Sequence, residues 1–211
     1  MKWRTKREKG QSIVEFAIIL PFFLLLIIGL VETAFALRSY LYVNTACREG
    51  IRFAARGRYT DEDTARWMLA SGGFTTLNGQ QVPFFRTEDP DPNTGVIITH
   101  IPIRADGTFG EGRTYAVGFI YNQSGQTLEP ITFNHSRADE VDVERHRMET
   151  IEINNQRAAE GYERLDNQLV IVEVFYAHHT IWNYQPLGLP QVIPMYSRAV
   201  MRVVSDSRQS Q

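Results

Sequence analysis

A single cysteine, Cys47, occurs among 211 residues. No internal disulfide can therefore form, and the fold must be held by its core in any redox compartment. Glycine-rich phosphate loops, dinucleotide fingerprints, nucleophile elbows and zinc-hydrolase patterns are missing as well, so the chain is read as non-enzymatic. The charge is close to balanced, with 22 Lys and Arg against 24 Asp and Glu. That leaves no basic footprint for nucleic acid. Once about thirty residues are assigned to the amino-terminal segment described next, enough chain remains for one domain and too little for two.

What the sequence does have is a basic head followed by a long apolar run. Lys2, Arg4, Lys6, Arg7 and Lys9 stand against Glu8 alone, and the apolar run from Ile13 to Val31 carries a single charge, at Glu15. Such a run is long enough to cross a bilayer, and basic flanks stay in the cytoplasm. Residues 1–10 are therefore expected inside and everything beyond about Leu37 outside, in a single-pass inner-membrane protein with an extracytoplasmic head. Glu15 interrupts the run near its start. A carboxylate there costs roughly 2.5–3.5 kcal/mol at mid-bilayer and less near an interface, so it needs a partner or headgroup depth. Pro21 removes one helical donor and is expected to bend the helix. Two other readings of this segment are a plain uncleaved anchor and a secretory signal ending at Ala34-Phe35-Ala36. Glu15 and Glu32 fit a signal poorly.

The helix should continue past the membrane. At 100° per residue Ala36, Tyr40, Val43, Cys47, Ile51 and Ala54 share one face, and Arg38, Thr45, Arg48, Glu49, Arg52 and Arg56 the opposite one, with Gly57 placed to end it. Cys47 is read as a small buried residue. Thr60 with Asp63 approximates a capping box before a short helix. The loop Asp89-Pro90-Asp91-Pro92-Asn93 spaces its oxygens as D-x-D-x-N, reminiscent of calcium loops, but the glycine comes one place late and His100 stands where the bidentate Glu would be. It is read as a solvated turn, with calcium on Asp89, Asp91 and Asn93 as the alternative and no other metal or cofactor expected. Gly95–Ile103 and Tyr115–Tyr121 have strand composition. The charged stretch from Ser136 to Asp166 fits either a surface helix or a hairpin. Gln168–His179 and Gln191–Val204 are the longest strand candidates and are expected at the centre of the sheet. On a strand His178 and His179 point to opposite faces, one inward and one outward.

Gly10-Gln11-Ser12-Ile13-Val14-Glu15-Phe16 resembles the leader-cleavage site of type IV pilin precursors. Its continuation through Pro21, Gly29-Leu30-Val31-Glu32 and Ala46–Arg56 is similar to the TadE-like minor pilins of tight-adherence (Flp) pili. Val170–Tyr176 and Ser197–Arg202 also look familiar. The resemblance implies cleavage after Gly10, leaving Gln11 as the new amino terminus and Glu15 as its fifth residue, paired with the freed amine to set subunit stagger. It implies a pilus assembly and adhesion role. The implied partners are other pilin and minor pilin subunits, a prepilin peptidase, the inner-membrane assembly platform and membrane lipid. A membrane-tethered extracytoplasmic binding module is the competing reading. The expected organisation is a leader over residues 1–10, a helix over 11–57 that spans the membrane to about 37, a head over 58–204 and a tail over 205–211. The fold class is α+β, with the long helix laid against a mostly antiparallel sheet.

Overall fold

A computed structural model describes residues 8–57, 59–70, 74–75, 81–88, 92–121, 127–182 and 191–205. The first helix, α1, runs Glu8–Ala54 as one element and continues through Pro21. Its ending follows the glycine rule for helix termini. Gly57 adopts φ 65 and donates its N–H to the Ala54 carbonyl at 3.2 Å, a backbone state that glycine enters without a Cβ penalty. From Ser12 to Val31 every side chain except that of Ile28 is exposed, so this half of the helix contributes nothing to the core of the head among the described residues. Beyond it Glu32, Ser39, Val43, Ala46, Cys47, Gly50, Ile51 and Ala54 are buried, a stripe at intervals of three, four and seven that lies along the head.

Tyr40, expected on that stripe, is 47% exposed. At its height the head lies on the Ser39 and Tyr42 side of the helix, where the Tyr42 and Phe84 rings come within 5.0 Å. The contact stripe at this height is thus displaced from the face that a regular 100° wheel assigns. The arginines at 38, 48, 52 and 56 are exposed, as their spacing predicts.

After α1 come α2 (Asp61–Ala70), β1 (Phe74–Thr75), β2 (Gln81–Val82), β3 (Thr94–Ile103), β4 (Arg113–Tyr121) and β5 (Leu128–Pro130). They are followed by α3 (Val143–Ala159), β6 (Asp166–His179) and β7 (Val192–Ser205). The start of α2 closes the anticipated capping box, with Asp63 N–H donating to Thr60 Oγ1 at 3.0 Å and Thr60 N–H to Asp63 Oδ2 at 3.4 Å. β1 and β2 form a small separate ribbon. The main sheet has the order β5-β4-β3-β6-β7, antiparallel at every junction. The architecture is α+β, a long helix on a five-stranded antiparallel sheet.

One expectation about the sheet needs correcting. β6 and β7 do pair over fourteen residues each, but β7 is an edge strand and β3 is the central one. The reason lies in the covering layers. β3 is flanked on both sides, its residues from Thr94 to His100 are all buried, and no polar alternation marks a solvent face. On one face of the sheet Val96, Ile98, Val170, Val172 and Val174 meet Val43, Cys47, Ile51 and Met68. On the other, Ile103, Leu169 and Ile171 meet Val141 and Val143 at the start of α3.

The charged stretch folds as α3, not as a hairpin. Asp142 caps it by accepting from Arg145 N–H at 2.9 Å. Its inner face also differs from the apolar spacing, because Met148 and Tyr162 are exposed while Thr150 and Asn154 are buried. Hydrogen bonds hold this helix to the sheet. Asn154 Nδ2 donates to the carbonyls of Ala105 and Leu165, and Asn167 Nδ2 donates to Thr150 Oγ1.

Candidate functional site

The residues nominated by sequence lie at the foot of α1. Gly10 and Gln11 fall within the helix, Glu15 is exposed on its surface, and Pro21 sits inside it. The helix is long and apolar enough to cross a membrane. In the proposed calcium loop Asp89 and Asp91 lie outside the described residues. Asn93, the third member, is committed elsewhere. Its Oδ1 accepts from Arg86 N–H at 2.8 Å and from Thr94 Oγ1 at 2.7 Å, and its Nδ2 donates to the Phe84 carbonyl at 3.1 Å. A side chain with both ends used in pinning a loop has no oxygen turned outward for a cation. Among the described residues no group of three His, Cys, Asp or Glu side chains could hold a metal.

Cys47 is fully buried, and its thiol donates to the Val172 carbonyl at 3.1 Å, tying α1 to β6. His178 is buried and His179 exposed, as alternation on a strand requires.

Three polar clusters escaped sequence reasoning. The first joins α1 to the end of β6. The two carboxylate oxygens of Glu32 each accept from Ile181 N–H at 3.2 Å, and Glu32 Oε1 lies 3.6 Å from His178 Nε2. On the other side of the ring, His178 Nδ1 is 3.1 Å from Ser39 Oγ. Burial pushes the His178 imidazole below its ordinary range, against the attraction of Glu32 and with the repulsion of His179. The only sequence signal was Glu32 itself, an acid directly after an apolar run. Its partners stand about 150 residues away and cannot be read from spacing.

The second cluster ties α2 to the sheet. His100 Nε2 donates to Asp61 Oδ1 at 2.7 Å, with Arg113 Nε 3.4 Å from Asp61 Oδ2. Burial opposes the Asp61 charge, but the bond to His100, its charge and that of Arg113 outweigh it and hold the carboxyl below its usual range.

The third cluster is Glu173, a fully buried carboxylate on β6. Its Oε1 accepts from Arg137 N–H at 2.8 Å and Tyr196 OH at 2.8 Å, and its Oε2 accepts from Ser136 Oγ. Arg137 lies over the Tyr196 ring at 4.8 Å. Burial and the bond to Glu173 push the Tyr196 phenol well above its ordinary value. This arrangement clamps the segment leading into α3 onto the sheet.

Taken together, the geometry defines a class: a membrane-anchored α+β protein in which one continuous helix serves first as span and then as spine of the head. A family model described as TadE-like protein matches residues 10–52. The segment from Gly10 to Arg52 of this 211-residue chain is thus TadE-like, and that likeness points to a protein associated with Tad pili. The matched residues are the helix alone; the sheet lies outside them. Neither the curated proteins nor the solved structures contain a match.

Proposed function

We propose that this chain is a minor pilin or pseudopilin of a tight-adherence pilus. It is inserted in the inner membrane with its basic head inside, cut after Gly10 by a prepilin peptidase, and then used in pilus assembly and surface adhesion without catalysis of its own. The observation that carries this reading is the coincidence of two things in one stretch. The TadE-like match begins at Gly10, and the same glycine precedes a carboxylate five places on, at the foot of a helix whose side chains are exposed from Ser12 to Ile27.

After cleavage Gln11 would carry an ammonium. Glu15 lies four residues further along, one helical turn away, so the two ends of this turn can meet within a chain or across to a neighbour. Pairing offsets much of the cost of holding both charges in lipid. The exposed apolar half of α1 then has two successive environments, lipid before assembly and neighbouring helices after it, and Pro21 is the joint at which the helix adjusts between them.

Amino-terminal sequencing of the protein from a host with a matching peptidase tests this. The expected first residue is Gln11, and replacing Gly10 should leave Met1 in place. Met1 on the wild-type chain would favour a simple tether, whose ligand-facing part would be sought in the head.

A further inference from the structure

Glu32 is the first charged residue after the apolar run that ends at Val31. Because its carboxylate holds the Ile181 N–H, the chain at the end of β6 is fixed at the depth where that run stops. Ser39, which meets His178, lies about 10 Å further up the helix at about 1.5 Å per residue. β6 therefore descends α1 toward the membrane, and among the described residues that follow it Ile181 and Trp182 are carried to the depth of Glu32, 54% and 49% exposed. Neither is part of the core.

The surroundings have the composition of a lipid interface. Phe35 is exposed on α1, Tyr121 stands edge-on to His179 at 5.7 Å, and Arg38 lies 5.4 Å over the Tyr42 ring. A groove of about 560 Å3 between helix and head brings Phe35, Arg38, Phe84, His179 and Ile181 to one mouth. Aromatic rings with a polar edge favour headgroup depth, and arginine stems lie along apolar surface while the guanidinium reaches phosphate.

We propose that this end of the head is a membrane-docking surface, with Ile181 and Trp182 seated among lipid headgroups and Arg38 facing lipid phosphate. The inference rests on α1 spanning the bilayer. It goes beyond anchoring, because it sets the tilt and height of the head. The head lies down on the membrane instead of standing off it on a helical stalk.

The test uses the full chain in vesicles of zwitterionic and anionic phospholipid. Trp3→Phe with Trp67→Phe leaves Trp182 as the reporter, and Trp3→Phe with Trp182→Phe leaves Trp67, which stacks on Phe53 near the far end of α1. A third variant carries Leu24→Trp with all three native tryptophans changed to Phe, and reports on the span. Trp182 should be quenched by lipids brominated near the headgroup and shielded from aqueous iodide, with Trp67 showing the reverse. If Trp182 behaves as Trp67 does while Leu24→Trp is quenched by lipid, the span stands and the docking surface is refuted. If Leu24→Trp is also quenched only from water, the spanning helix itself is wrong and the inference falls with it.

Discussion

Replacing Glu173 separates a buried clamp from an incidental charge. Glu173 is fully buried and serves three donors, Arg137 N–H, Tyr196 OH and Ser136 Oγ. In Glu173→Ala all three lose their acceptor at once. Unsatisfied buried groups cost about 1–3 kcal/mol each. Ser136 and Tyr196 are only half-buried and can turn toward water, and removing a buried charge returns several kcal/mol of desolvation. The net expected loss is about 1–3 kcal/mol, the lost acceptor and the cavity left by a fully buried side chain together outweighing the returned desolvation. Glu173→Gln should cost about 1 kcal/mol or less. Its carbonyl can keep Arg137 and Tyr196, and its amide can donate to Ser136, whose hydroxyl rotates to accept. Urea unfolding of the full chain in detergent, followed by near-ultraviolet circular dichroism, measures both. Equal costs for Ala and Gln would show that charge, not acceptor geometry, holds the segment. A Glu173→Ala protein as stable as wild type would refute the clamp.

Other consequences follow from single sites. Gly118 holds φ 95, and a Cβ there would meet the Thr94 carbonyl oxygen at 2.2 Å, so Gly118→Ala should destabilise by about 1–3 kcal/mol from backbone strain alone, visible as a lowered urea midpoint with an unchanged slope. The depressed His178 value means that the unfolded chain binds a proton more readily than the folded one. Its contribution is therefore complete above the ordinary histidine value of about 6.5 and is lost as pH falls through that value toward the lower folded one. Hydrogen exchange at the Ile181 amide, corrected for intrinsic rate, should speed up between pH 7 and pH 5. Asp61 has the opposite origin and a different window. Its lowered carboxyl value adds stability above the ordinary aspartate value of about 3.9 that is lost only in stronger acid, and Asp61→Asn should flatten that part of an acid-unfolding curve.

The elements were legible where one periodicity governs a segment. The stripe of α1, the capping box at Thr60 and the strands around Ile98 and Val172 are all short-range patterns, and they fix an α+β fold without reference to partners. What the pattern could not give is which strand is central, because β6 and β3 are equally apolar and only the covering layers distinguish the middle from the edge. Tyr40 failed for a related reason: a helical wheel assumes a straight seam, whereas at this height the head meets the Ser39 and Tyr42 side of the helix. α3 misled by packing through Thr150 and Asn154, polar residues whose inward direction is set by hydrogen-bond partners on other segments. The Glu32, Ser39 and His178 junction needs the whole fold to come together. Its trace in the sequence was one acid after an apolar run, just as the trace of the Glu173 clamp was one acid inside Val170–Tyr176.

Lys2, Lys6 and Lys9 are the only lysines in the sequence, so cleavage after Gly10 would leave a chain whose sole amine is the one at Gln11. The intact mass of the protein recovered from sheared filaments, measured with and without an amine-reactive label, tests the central claim most directly. The account predicts a chain lacking residues 1–10 that takes up a single label, and no chain in that fraction when Glu15→Ala is substituted. A filament-borne chain that still carries Met1, or a Glu15→Ala protein incorporated as well as wild type, would contradict it.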